Sequence, residues 1–316
     1  MVQAIVNGLS EHVAVIGPGA IGLVLAVRIA HVAGGPAVTL IDHDAERARR
    51  LSAGPIRLGS PLGDLATAIP VRPAPDAPAD LVILATKAHS ARRAAEEAAG
   101  WIGEAPLLTI QNGLGVAAEV ARALPHTTVI TGVTYQGANL LGEGEVRHVA
   151  CGETYLGYEG RGADATVHSV AGLLNDAGLP ATAEADMTPV VWGKLLVNAA
   201  INPVAALAAV RNGQVAGRPT LRTLAQVVAD EGQATADAAG VTLPYESAAE
   251  AAIETARKTA DNRCSMLQDL EAGRPTEIDY LSGAIVRVAD ELDVRVPATR
   301  ALSVLVQQVS AAAGRA

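Results

Sequence analysis

A fourteen-residue apolar stretch, VVWGKLLVNAAINP at positions 190–203, carries polar side chains at a spacing that suits chemistry. Lys194 is its only charged residue, and Asn198 and Asn202 follow at i+4 and i+8. In a helix these three side chains lie within about 80° of one another, because four residues advance only ~40° beyond a full turn. An ammonium group among apolar residues loses hydration, and its pKa falls toward the range useful for proton transfer. The stretch therefore predicts a helix that presents a proton donor, Lys194, and two amides to a bound substrate.

Two further candidates lie in the last third of the chain. Ser265 follows the polar residues NRC and precedes an apolar turn, so its hydroxyl or backbone N–H is a candidate to receive a carboxylate. Glu277 comes two residues after Pro275, at a predicted helix start, where an acidic side chain also interacts favourably with the helix dipole. The sequence alone does not rank a catalytic role for Glu277 against this helix-stabilising role.

A glycine-rich turn near the amino terminus predicts a dinucleotide site. The apolar run HVAVIG reads as a buried strand, GPGAIG follows it, and an apolar periodic helix comes next. In this strand–turn–helix context, G-x-G-x-x-G lets backbone N–H groups approach a pyrophosphate at the helix N-terminus. The alternative is a structural glycine turn. The predicted cofactor-binding positions are Gly17, Gly19, Ala20, Ile21 and Gly22.

The end of the second predicted strand bears on the choice of cofactor. Asp42 ends the run AVTLID, twenty residues after the last glycine of the turn. An acidic residue there accepts hydrogen bonds from the adenosine ribose and repels a 2′-phosphate, which favours NAD over NADP. Arg47, Arg49 and Arg50 follow closely and offer a 2′-phosphate site instead, or form a solvated helix face.

Lys87 and Asn112 follow two more predicted strands, Leu81–Thr86 and Pro106–Gln111. Ligands of open parallel sheets bind outside the carboxyl ends of the strands. Lys87 is therefore a candidate for a carboxylate or phosphate, and Asn112 for a ribose or substrate hydroxyl. A solvated lysine and a turn asparagine are the ordinary alternatives at such positions.

These elements predict an α/β protein with a Rossmann-type domain followed by an all-α domain. After a strand at Thr128–Val133 we expect two short strands, Val146–Cys151 and Thr154–Tyr158, at an antiparallel edge of the sheet. The alternation of strands and helices stops near residue 185, and only helical periodicity follows, including a helix at Tyr245–Asp261. We place the dinucleotide-binding domain at 1–185 and the helical substrate domain at 186–316.

Composition excludes several classes of protein. The net charge of -9 argues against nucleic-acid and anionic-membrane partners, which need a basic surface. Two cysteines cannot build a disulfide framework, which indicates a reducing cytoplasm, and no His/Cys cluster has the spacing of a metal site. The first twelve residues lack the features of a signal peptide. The apolar run 187–210 is long enough to span a membrane, but its lysine, asparagines and prolines oppose insertion.

The set of motifs GPGAIG, QNGLG, KLLVNAAINP and NRCSMLQDLEAGRPTEIDYLSG, with Asn-Gly at 212–213, resembles the ketopantoate reductases (2-dehydropantoate 2-reductases). The resemblance covers His12 to about Pro297. It implies a Rossmann domain, an all-helical domain of the 6-phosphogluconate dehydrogenase type and an active site between them. It also implies reduction of 2-dehydropantoate to (R)-pantoate on the route to coenzyme A, and a homodimer.

By motif matching, the resemblance assigns a role to most of the candidates. Lys194 corresponds to the general acid and Glu277 to an acid near the active site and the cofactor ribose. Asn198 and Asn202 correspond to ligands of substrate hydroxyls, and Ser265 to the ligand of the carboxylate. The remaining matches are Asn112 near the nicotinamide ribose and substrate, Lys87 after the fourth strand, and Asn262 and Asn212 at substrate-binding motif positions.

The sequence departs from the family pattern in two places. Family members usually use NADPH and often have a basic residue where this chain has Asp42-His43-Asp44, and Cys264 replaces another small polar residue. Two alternative functions remain: a paralogue that reduces another 2-oxo acid or an imine, and a non-catalytic NAD(H)-binding sensor. A comparison of kcat/KM between ketopantoate and simple 2-oxo acids separates the first alternative, and the retained polar groups count against the second.

Overall fold

A computed structural model of the protein describes residues 11–313, so the predicted lack of a signal peptide rests on residues that lie mostly outside the described range. The described chain divides into two compact units. The first reaches Gln111 and resumes at Val116–Met187, and the second comprises Asn112–Gly115 and the residues from Thr188 onward.

The first unit is a ten-stranded sheet with helices packed on it. Its strands are β1 His12–Ile16, β2 Ala37–Ile41, β3 Ile56–Gly59, β4 Leu65–Thr67, β5 Val71–Arg72, β6 Leu81–Leu84, β7 Leu107–Thr109, β8 Val129–Gly142, β9 Glu145–Gly157 and β10 Ala181–Ala183. Its helices are α1 Ala20–Ala30, α2 Ala45–Ser52, α3 Ala88–Ala98, α4 Val116–Ala123 and α5 Ala165–Asp176.

The strand order is β4-β3-β9-β8-β7-β6-β1-β2-β5, and β10 pairs with β9. In this order, the adjacent strands β8-β7-β6-β1-β2-β5 are all parallel to one another. The central strands β1 and β6 are buried along their whole length, as expected for strands covered on both faces. This is the predicted Rossmann-type arrangement, with the carboxyl ends of β1, β2, β6 and β7 at one edge.

The region after residue 128 differs from the prediction. In place of two short strands there is one long strand, β9, of 13 residues, which is antiparallel to β8, of 14 residues. β9 is not at the edge of the sheet, because β3 pairs with its first residues and β10 with its last. Strand length and position here depend on pairing between distant segments, which local periodicity does not encode.

The second unit is helical, with α6 at its centre. The helices are α6 Thr188–Leu207, α7 Asn212–Gly217, α8 Pro219–Ala238, α9 Ala248–Lys258, α10 Ser265–Glu271, α11 Ser282–Glu291 and α12 Pro297–Ala313. α6 packs against α7, α8, α9, α10 and α12. By length and composition it could cross a membrane, but 72% of its apolar window is buried within the protein, which fits a core helix.

Three local predictions are corrected in this unit. The helix expected at Tyr245–Asp261 is shorter, at Ala248–Lys258, because Ser247 caps it by accepting a hydrogen bond from the backbone N–H of Glu250. Glu277 does not start a helix, since α11 begins five residues later. Asn112–Gly115 belongs with the helices and not with the sheet, because the backbone N–H of Leu114 donates to the carbonyl of Tyr280 at 3.0 Å.

Candidate active site

The glycine turn of the first unit has the close approaches that its motif predicts. Gly17 has a φ of +97°, and its N–H donates to the carbonyl of Ile41 at 2.9 Å. A methyl group on Gly22 would lie 2.1 Å from the carbonyl oxygen of Gly17, so only glycine fits there. At Gly19 a methyl group would meet no protein atom within 4 Å. Gly19 is extended and caps α1, with Ala20 and Ile21 in its first turn, and no side chain caps this helix.

Two orphaned polar atoms lie at the carboxyl ends of β6 and β7. Thr86 Oγ1 and Gln111 Oε1 are buried and have no hydrogen-bond partner. The amide nitrogen of Gln111 donates to the carbonyls of Leu84 at 2.6 Å and Thr86 at 3.2 Å, which fixes the side chain in place. Buried acceptors and hydroxyls normally find partners. These atoms, together with the open space at the glycine turn, fit a bound dinucleotide. Gln111 begins the QNGLG motif, but the sequence alone assigns a role to neither Thr86 nor Gln111.

Asp42 forms a buried ion pair. Its carboxylate accepts from Arg47 Nε at 2.5 Å and Nη2 at 2.7 Å, and from the backbone N–H of Asp44 at 3.1 Å. The side chain of Asp42 is fully buried, whereas that of Arg47 is 39% exposed. The guanidinium group, and not the carboxylate, is thus the accessible charge at the end of β2.

Lys87 occupies the junction between β6 and α3. It is the N-cap residue of α3 and is half-buried. The structure therefore places Lys87, Asp42 and the glycine turn in the first unit, all next to carboxyl ends of parallel strands.

Lys194 lies near the middle of the central helix of the second unit. Burial lowers the pKa of its ammonium group to about 8, while the negative charge of Glu277 acts to raise it. Asn198 is half-buried and Asn202 is buried on the same helix. A lysine with this pKa exchanges its proton readily near neutral pH.

Glu277 and Asn112 belong to one polar cluster with the lysine. Glu277 is only 6% exposed, and the amide nitrogen of Asn112 donates to its Oε2 at 3.4 Å. Asn112 is held in the helical unit by the contact between Leu114 and Tyr280 described above. Of the residues predicted from the sequence, the structure thus brings together Lys194, Glu277 and Asn112, although Asn112 is 165 positions from Glu277.

Ser265 is the first residue of α10 and is exposed. The residue before it, Cys264, caps the helix: its sulfur accepts a hydrogen bond from Leu267 N–H at 3.4 Å. The same thiol donates to the backbone carbonyl of Asn202 at 3.6 Å. Asn202 and the start of α10 are therefore adjacent.

Asn212 and Asn262 form a second pair, joined by a backbone hydrogen bond of 3.0 Å from Asn212 to Asn262. The amide nitrogen of Asn212 donates to Thr259 Oγ1 at 2.9 Å, and its buried Oδ1 has no partner. Asn262 is exposed. The amide of Asn212 is thus committed in part to tertiary packing between α7 and the end of α9.

Comparison with known protein families gives two matches that together cover most of the chain. The family described as ketopantoate reductase PanE/ApbA matches residues 13–160. Its C-terminal counterpart, ketopantoate reductase PanE/ApbA C terminal, matches residues 186–310.

Individual relatives agree with these matches. A 2-dehydropantoate 2-reductase of Halobacterium salinarum is 38% identical over 299 residues, which cover 94% of this chain and 98% of the relative. One of Archaeoglobus fulgidus is 37% identical over 73% of this chain and 76% of its own. Among solved structures, a PanE/ApbA family ketopantoate reductase from Ralstonia eutropha superposes with a TM-score of 0.87 at 28% identity, covering 96% of this chain and 99% of the other.

Proposed function

Because the chain belongs to the ketopantoate reductase family, we propose that it reduces 2-dehydropantoate to (R)-pantoate with a nicotinamide dinucleotide. The observation that carries this proposal is the cluster of Lys194, Glu277 and Asn112. It supplies an amine of lowered pKa, which can serve as the proton donor that the reduction of a carbonyl requires.

The reduction adds one hydride and one proton to the keto group, and the cofactor supplies the hydride when it is bound. Lys194 donates the proton to the carbonyl oxygen, where its positive charge also stabilises the developing alkoxide. Glu277 opposes the effect of burial and keeps a larger fraction of Lys194 protonated. Asn112 holds the carboxylate of Glu277 by its amide.

The other polar groups of the helical unit act on the substrate. Asn198 and Asn202 bind its hydroxyl group and Ser265 binds its carboxylate, and Asn212 and Asn262 are further substrate-binding candidates. A site built to pair a hydroxyl discriminates strongly against analogues that lack it. The first unit binds the dinucleotide through the glycine turn, Lys87, Thr86 and Gln111.

The Asp42–Arg47 pair supports NADPH as the preferred cofactor. An isolated Asp42 favours NAD, but here both carboxylate oxygens are engaged by Arg47, so the carboxylate does not present a free negative charge to a 2′-phosphate. Arg47 keeps further N–H groups for a phosphate, since a guanidinium has five donors and Asp42 uses two. Asp42 then acts as the anchor of Arg47 and not as a ribose ligand.

Titration calorimetry with NADP+ and NAD+ tests this cofactor assignment. Loss of a charge-assisted hydrogen bond in Arg47→Met weakens NADP+ binding by about tenfold or more and leaves NAD+ binding nearly unchanged. Arg49→Met, on the same helix, is the control and changes neither. Because Arg47→Met removes the guanidinium partner of a buried carboxylate, Asp42→Asn/Arg47→Met is measured beside it. Tighter binding of NAD+ than NADP+ by the wild type, unaffected by these changes, contradicts the assignment.

A spectrophotometric assay at 340 nm tests the substrate. With either reduced cofactor, 2-dehydropantoate is expected to give a higher kcat/KM than simple 2-oxo acids. A preference for another 2-oxo acid supports a paralogue, and cofactor binding without turnover of any 2-oxo acid supports a sensor. A homodimer in the cytoplasm is part of the same proposal and rests on the family resemblance and on the absence of a disulfide framework.

A further inference from the structure

Cys264 occupies a position between two elements that carry proposed substrate groups. It is 6% exposed and lies in the apolar core of the helical unit. Its sulfur makes both of the hydrogen bonds described above, one to Leu267 in α10 and one to Asn202 in α6. A single side chain therefore ties the first turn of α10 to the central helix.

The two bonds require the protonated thiol. Only an S–H group donates to the Asn202 carbonyl while its sulfur accepts from Leu267 N–H. Burial raises the pKa of the Cys264 thiol to about 11, so it stays protonated at neutral pH. This chemistry makes Cys264 a structural hydrogen-bonding group and not a nucleophile.

The carbonyl that accepts from Cys264 belongs to Asn202, which directly precedes Pro203 inside α6. A proline has no N–H, so Pro203 removes the backbone hydrogen bond to the carbonyl of Ala199, one turn earlier, and not the one to Asn202. On the other side of the thiol, Ser265 follows Cys264 directly in the chain, so the capping geometry fixes the backbone position from which the Ser265 side chain projects.

We propose that Cys264 is a positioning residue that holds Ser265 in register with Asn202 and thereby sets the affinity for the substrate carboxylate. This inference rests on the proposed function, in which Ser265 and Asn202 contact the substrate. It assigns Cys264 to substrate affinity and not to the proton-transfer step.

Steady-state kinetics of a double-mutant cycle test the proposal. Cys264→Ala is expected to raise KM for 2-dehydropantoate by roughly three- to tenfold, the effect of one weakened hydrogen bond, with kcat and KM for the cofactor within about twofold. Cys264→Ser keeps a donor and an acceptor and stays closer to the wild type. In a Ser265→Ala background, Cys264→Ala adds little further change, because its effect acts through Ser265. Cys151→Ala, which removes the other cysteine, is the matched control and leaves all constants unchanged.

The outcomes are distinguishable. Wild-type protein that fails to reduce 2-dehydropantoate rejects the proposed function itself. In an active enzyme, an unchanged KM in Cys264→Ala, or a full effect that persists in the Ser265→Ala background, overturns the positioning role even if the melting temperature falls. If Cys264→Ala does not fold, the same cycle is run with Cys264→Ser, and additive changes in KM overturn the proposal.

Discussion

At the scale of single residues, the behaviour of Lys194 follows from burial opposed by one nearby carboxylate. The two effects leave its pKa at about 8, well below the ordinary value of 10.5. The desolvation of the ammonium group is the larger effect, and Glu277 offsets part of it. The residue thus remains largely protonated at neutral pH and still releases its proton easily.

The pKa of Lys194 predicts the pH dependence of reduction. The acid form is required to donate the proton, so kcat/KM for 2-dehydropantoate reduction is expected to fall as pH rises through about 8. Glu277→Gln removes the charge that raises this pKa, and the fall moves to lower pH. Rates measured from pH 6 to 10 check both curves. A rate that stays constant up to pH 10 contradicts the assignment of Lys194 as the acid.

A second buried titratable group, His148, predicts the pH dependence of stability. Burial and the charge of Arg28 lower its pKa below 6.5, and its Nε2 lies 2.6 Å from Gln136 Oε1. Between pH 6.5 and this lower pKa, the unfolded chain binds more protons than the folded one, so the free energy of unfolding decreases as pH falls. Urea denaturation at pH 7.5 and 5.5 is expected to show a smaller loss in His148→Gln. His126 is exposed, so His126→Gln serves as the control and is expected to lose as much free energy of unfolding as the wild type. An equal loss in the wild type and both variants contradicts the account.

At the scale of elements, two glycines of the same turn meet different requirements: one is needed for packing and the other for dinucleotide binding. Gly22 needs space against the protein backbone, whereas the space at Gly19 is open. Gly22→Ala is therefore expected to lower the free energy of unfolding by about 1–3 kcal/mol, the usual effect of overpacking. Gly19→Ala leaves stability nearly unchanged but weakens dinucleotide binding, because its methyl group occupies the space proposed for the pyrophosphate.

Denaturation and titration calorimetry on the two glycine variants check this separation. Each variant serves as the other's control, since the change in both is one methyl group in the same turn. Full dinucleotide affinity in Gly19→Ala would show that the pyrophosphate does not bind at this turn.

Local pattern predicted the elements whose signals lie within one segment. The apolar run before GPGAIG and the apolar periodicity after it predict β1 and α1. The helical spacing of Lys194, Asn198 and Asn202 in an apolar stretch predicts α6. The β8–β9 hairpin was not predicted as one long pair, because its register depends on pairing between distant residues. The contact of Asn112 with Glu277 and the choice of Arg47 as the partner of Asp42 likewise depend on tertiary packing, which the sequence does not display.

At the scale of the whole molecule, the family match extends across both compact units. One unit carries the glycine turn and the Asp42–Arg47 pair, and the other carries Lys194 and its charged partner. Neither unit alone contains both a dinucleotide site and a proton donor in this proposal. The proposed reaction therefore has to be measured on a protein that contains both units.

The most direct test of the account measures reduction of 2-dehydropantoate by the wild type and by Lys194→Ala, together with their dissociation constants for NADPH. Loss of a general acid is expected to lower kcat by about 10²–10⁴-fold. The dissociation constant for NADPH is expected to stay within about threefold, because the glycine turn, Lys87, Thr86 and Gln111, through which the dinucleotide is proposed to bind, lie in the other unit. A Lys194→Ala enzyme whose kcat remains within about threefold of the wild type would contradict the central claim that this buried amine is the proton donor.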